Sequence, residues 1–156
     1  MGSTGRVATD GTPTAIAVPT AGLISVQLFD GAPGDLFTIA ASNVTVASCT
    51  IKVLGPDGQM ITSGTITASG QGVQIPRLAR TGTYSIVADC GPSTGSLTLA
   101  LVGPLQLSVT LGGSPVTGTL AAPGQRAFVS FAGTAGTDIT LDLSSVSITE
   151  ARASLL

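Results

Sequence analysis

Apolar residues recur at every second position along most of this chain. Ile24, Val26 and Leu28 alternate with Ser25 and Gln27, and Cys49, Ile51 and Val53 alternate with Thr50 and Lys52. Phe37, Ile39 and Ala41 lead on to Val44 and Val46. Tyr84, Ile86 and Ala88 form a further run, then Leu97, Leu99 and Leu101, then Leu105, Leu107, Val109 and Leu111. Ala127, Val129 and Phe131, and Ile139, Leu141 and Leu143, close the series. A period of two is that of a strand buried on one face. Gly, Pro and Asp-Gly punctuate the gaps, as at Gly55-Pro56-Asp57-Gly58, Gly91-Pro92, Gly103-Pro104 and Gly112-Gly113. Short strands separated by such turns predict an all-β, antiparallel sandwich. No stretch has the 3.6-residue period of an amphipathic helix.

The chain also repeats itself. Displaced by 102 residues without a gap, residues 7–54 lie over residues 109–156 with 11 identities in 48 positions. Val7, Gly11, Pro13, Gly22, Phe29, Gly31 and Gly34 meet Val109, Gly113, Pro115, Gly124, Phe131, Gly133 and Gly136. Thr38, Ser42, Val44 and Leu54 meet Thr140, Ser144, Val146 and Leu156. The shared F-x-G-x-x-G turn favours a true repeat over chance in a biased composition. Residues 5–104 are therefore expected to be one module and 105–156 the first half of a second. That half stops where the Pro56-Asp57-Gly58 turn would begin, so it is not expected to close a sandwich alone.

Composition narrows the function. Charged residues are 9% of the 156, against about 25% in an average soluble domain. There is no His, one Lys (Lys52) and one Asn (Asn43). Without His there is no ordinary Ser-His or Cys-His nucleophile pair and no proton shuttle near neutral pH. Six scattered cations in a chain of net charge −2 make no footprint for nucleic acid. No apolar run approaches the roughly 20 residues that span a bilayer. No cofactor and no catalytic residue is expected. Met1-Gly2-Ser3-Thr4-Gly5 leads into no apolar segment of a secretory signal, and the chain reads as a piece of a longer protein.

The motifs carry a resemblance. TIKVLGPDGQMITSG, followed by IPRLARTGTYSIVADCGPSTGSLTLAL, resembles the bacterial pre-peptidase C-terminal type of β-sandwich. Pro56-Asp57-Gly58, Thr81-Gly82-Thr83-Tyr84 and Thr94-Gly95-Ser96-Leu97 stand in that family's turn and corner positions. The half-module after it is similar to repeats of very large secreted or surface proteins of high-GC bacteria, some with YD-type (RHS) repeats and toxins. The resemblance implies a jelly-roll-like fold and a non-catalytic spacer, adhesion or binding role. Some family members bind calcium through acidic linker residues, which have no matching cluster here.

A few residues are candidates for chemistry. Cys49 shares parity with Ile51 and Val53, and Cys90 with Ala88 and Ile86. Two inward cysteines on separate strands of a secreted-type sequence favour a disulfide over two buried free thiols. Ala151 stands in the second copy where the first has Cys49. Asp30 and Asp35 flank the turn Gly31-Ala32-Pro33-Gly34 and are the weak Ca²⁺ candidates. Turn chemistry is the preferred reading, and Ala132 and Thr137 replace them in the second copy. Asp57 before Gly58 is a turn residue. Tyr84 after Gly82 reads as a corner tyrosine rather than a sugar-stacking platform, because sugar sites usually display several exposed aromatics. Lys52 alternates with inward residues, which argues against an isopeptide bond to Asn43.

The expected function is a structural or interaction repeat module of a large secreted or cell-surface bacterial protein. Its expected partners are other repeats of the same parent or a second copy of the chain. The alternative is an accessory module that binds glycan, matrix protein or Ca²⁺ beside a secreted enzyme or toxin.

Overall fold

The structure is a computed structural model that describes residues 3–149 and 152–154. Glu150, Ala151, Leu155 and Leu156, which the 109–156 segment includes, lie outside the described residues.

The described residues form eleven strands: β1 (Thr4–Arg6), β2 (Thr14–Val18), β3 (Ile24–Gly31), β4 (Thr38–Ser42), β5 (Cys49–Leu54), β6 (Met60–Ile66), β7 (Gly72–Gln74), β8 (Gly82–Asp89), β9 (Gly95–Val102), β10 (Leu105–Ser108) and β11 (Ala127–Ser130). Two sheets make the sandwich, in the orders β1-β3-β8-β5-β6 and β2-β9-β4-β7. The ladders are antiparallel except where β1 joins β3. That pair is parallel because β2 crosses into the opposite sheet between them. Inward residues of both sheets form one core, and every member lies between Val7 and Leu101. Ile16, Ile39, Ile51, Ile86, Leu97, Leu99 and Leu101 are fully buried. Their alternation is what the period-two pattern predicts.

Strand β3 departs from expectation. Its core face is Ser25, Gln27 and Phe29, whereas Ile24 is 45% exposed and Val26 and Leu28 are only half-buried. Pairing fixes this choice. Phe29 stands opposite Tyr84, and the two rings stack at 5.3 Å. With Phe29 inward, its neighbours two and four residues earlier must face the same way. Two of the polar groups so buried find local partners: Ser25 Oγ donates to the Ser3 carbonyl at 2.9 Å, and Gln27 Nε2 donates to Ser25 Oγ at 3.1 Å, whereas Gln27 Oε1 is buried without a hydrogen bond among the described residues. Gly5 lets Gln27 approach, since a Cβ there would lie 2.5 Å from Oε1.

Beyond residue 104 the chain changes character. Among the described residues, strands β10 and β11 pair only with each other, again in parallel. Their register, Gln106↔Phe128, Leu107↔Val129 and Ser108↔Ser130, is that of Thr4↔Val26, Gly5↔Gln27 and Arg6↔Leu28 displaced by 102 residues. The loop hydrogen bonds show the same displacement. Val7 N donates to Leu28 O and Val109 N to Ser130 O, each at 2.9 Å. Asp35 N donates to Ala32 O at 3.1 Å and Thr137 N to Thr134 O at 3.2 Å. Left-handed backbone recurs at Gly22 and Gly124, Gly34 and Gly136, and Asn43 and Ser145. The apolar run Ile139, Leu141 and Leu143, predicted to be a strand, is unpaired and exposed. A strand needs a ladder neighbour, and the described residues beside this run provide none.

Candidate functional site

Three places gather the polar and turn chemistry of the chain: the corner at Tyr84, the acidic turns, and the joint between the sandwich and the segment from Leu105 onward.

At the corner, the Tyr84 hydroxyl donates to the Arg80 carbonyl at 2.6 Å while its ring is 2% exposed. Gly82 makes room for the Pro56 ring, because a Cβ at Gly82 would lie 2.6 Å from Pro56 Cγ. Asp57 Oδ1 accepts from Gln59 N at 3.1 Å, and Asp57 Oδ2 accepts from Arg80 Nη1 at 2.8 Å. Gly58 sits at φ 77°, the left-handed region that glycine enters without strain. Thus two motifs 25 residues apart in sequence, Pro56-Asp57-Gly58 and Thr81-Gly82-Thr83-Tyr84, form one packed corner. With the ring stacked on Phe29 and buried, Tyr84 presents no face for a sugar.

Asp10, Asp35, Asp57 and Asp89 serve turns. Asp35 Oδ2 accepts from Ala32 N at 2.8 Å, which closes the Gly31-Ala32-Pro33-Gly34 turn on itself. Asp30 pairs with Arg6 and accepts from Thr83 Oγ1 at 2.8 Å. Asp89 accepts from Gly91 N at 3.1 Å. Asp10 accepts from Thr12 N at 2.9 Å, and Thr12 holds its carboxyl below the usual range. Asp30 and Asp35 are thus engaged by different partners. Among the described residues no three potential ligands lie together as a metal site would require.

Cys49 and Cys90 are joined by a disulfide. The ladder of β5 on β8 sets Thr50 opposite Asp89, so the next pair along is Cys49 opposite Cys90. Shared parity in the sequence therefore corresponds to adjacency in the sheet.

The joint is a finding of the structure alone. The turn 122–126 seats on the ends of β4 and β7. Gly124 O accepts from Thr38 Oγ1 at 3.2 Å and from Gln74 Nε2 at 3.5 Å. Arg126 Nη2 donates to the carbonyls of Phe37 and Ile75. Gln125 Nε2 donates to Gly103 O at 2.9 Å. Burial, and secondarily the Arg77 charge, lowers the Arg126 pKa from its usual value. Arg126 stands 102 residues after Ile24, so a cation in place of an apolar residue at that displacement was the available signal. Beside the joint, Gly34, Phe37, Arg77, Gly103 and Phe128 line a shallow open cleft.

No family model matches the chain, and no curated protein matches it. Solved structures do resemble it. PliG of Aeromonas hydrophila, a periplasmic inhibitor of g-type lysozyme, is 15% identical over 64% of this chain and 96% of its own, with a TM-score of 0.47. The pre-peptidase C-terminal domain of Bacillus anthracis collagenase is 16% identical over 65% and 96%, with a TM-score of 0.46. PliG of Salmonella Typhimurium is 13% identical over 64% and 97%, with a TM-score of 0.42.

Proposed function

We propose that this chain is a non-catalytic structural or interaction module of a large secreted or surface protein, with residues 5–104 as a complete sandwich and 105–156 as the first half of another. The recurrence of strand register, turn hydrogen bonds and left-handed residues at one 102-residue displacement carries this reading. A repeat of conformation through so many independent features is what tandem modules produce. The disulfide supports an oxidising compartment. The acids engaged in turns support a scaffold role over a ligand site.

The joint gives the scaffold its geometry. Arg126, Gln125 and Gly124 bind backbone and side chains of the preceding module, so adjacent modules meet in a defined orientation rather than across a free linker. A chain ending at Pro104 tests the reading. It is expected to be a monomer with the disulfide formed and a single cooperative unfolding transition. Failure of that chain to fold would show that 5–104 is not a module.

A further inference from the structure

We propose that the open face of residues 127–148 binds a polypeptide segment patterned like residues 82–102, which adds antiparallel to Ala127–Ser130. The inference rests on the two-module reading and identifies the partner of its incomplete half.

The first module is the template. Ile39, Ala41 and Val46 are at most 2% exposed there. Their equivalents 102 residues later, Leu141, Leu143 and Ile148, are apolar but 63%, 60% and 46% exposed. Val129 is likewise 45% exposed. In the template, β9 pairs with β4, setting Leu101 against Ile39 and Leu99 against Ala41. Strand β8 pairs with β3, setting Tyr84 against Phe29 and Ile86 against Gln27. Among the described residues β11 has a neighbour on one edge only, β10, so the edge that β8 occupies on β3 is open. The displaced register sets a Tyr84-like residue opposite Phe131, an Ile86-like residue opposite Val129, and Leu101- and Leu99-like residues opposite Leu141 and Leu143. Such an occupant would satisfy the open backbone edge and cover the apolar side chains together.

A second copy of the chain is a poor donor. Its own β8 is central, paired to β3 on one side and β5 on the other, and its Cys90 is bonded to Cys49. Releasing that strand would dismantle a finished core. The occupant is instead a segment of this alternation that is not already paired.

The test adds a synthetic peptide of residues 82–102, carrying Cys90→Ser, to the full chain and monitors amide hydrogen exchange. Exchange at 127–130 and 140–144 is expected to slow by about tenfold or more. A peptide with Tyr84, Ile86, Leu99 and Leu101 replaced by Ser should leave it unchanged. A second protein, the full chain with residues 55–102 appended after Leu156, removes dependence on peptide solubility and should show the same protection. Protection in neither, equal protection by the Ser peptide, or a dimer of the unaided chain that protects these amides would overturn the proposal. If the chain ending at Pro104 folds while complementation fails, the module reading stands and this inference alone falls.

Discussion

Replacing both cysteines, Cys49→Ala with Cys90→Ala, should cost the sandwich a large part of its stability. The bond spans a sequence separation of 41 residues. On the chain-entropy account, opening such a loop in the unfolded state costs about 4 kcal/mol at 25 °C. Both residues are buried, at 1% and 3% exposure, so each lost sulfur removes a further ~1 kcal/mol of apolar contact. The sum, about 6 kcal/mol, rivals the whole stability of a small domain, roughly 5–15 kcal/mol. For a sandwich of this size each kcal/mol moves the melting point by about 4–8 °C. The double variant should therefore melt at least ~15 °C below the oxidised protein. Circular dichroism melts of the oxidised chain, the reduced chain and the double variant separate the two contributions. The reduced chain keeps the buried sulfurs and loses only the loop closure. A double variant melting within about 3 °C of the oxidised protein would refute the reasoning, because loop closure would then contribute almost nothing.

The corner yields two further predictions. Tyr84→Phe keeps the stack on Phe29 and removes only the hydroxyl bond to Arg80, so it should cost about 0.5–1.5 kcal/mol, whereas Tyr84→Ala should cost about 3–5 kcal/mol in denaturant titration. Equal effects from the two would show that the ring is not core. Gly82→Ala drives a methyl group into the rigid Pro56 ring and should cost about 1–3 kcal/mol; a variant as stable as the parent would mean that the two motifs do not meet.

Much of this protein is dictated by its residues alone. A period of two with frequent Gly and Pro leaves strands as the only regular structure that can bury one face, so the all-β class is set locally. The inward cysteines were legible because parity is a property of the strand itself. The turn roles of Asp57 and Gly58 were also legible, because an Asp side chain and a glycine at positive φ act within a few residues.

Partnership between distant segments was not legible. The alternation of β3 is readable with either face inward, and only the stack of Phe29 on Tyr84 decides that Ser25 and Gln27 are buried. The contact of Gly82 with Pro56 joins two turns whose sequence separation says nothing about their spacing. Arg126 reaches the carbonyls of Phe37 and Ile75 only because the turn that carries it seats on β4 and β7. Local alternation records which residues avoid water. Which strand lies beside which is decided by long-range ladders and ring contacts, whose energies enter only once the sheets are assembled.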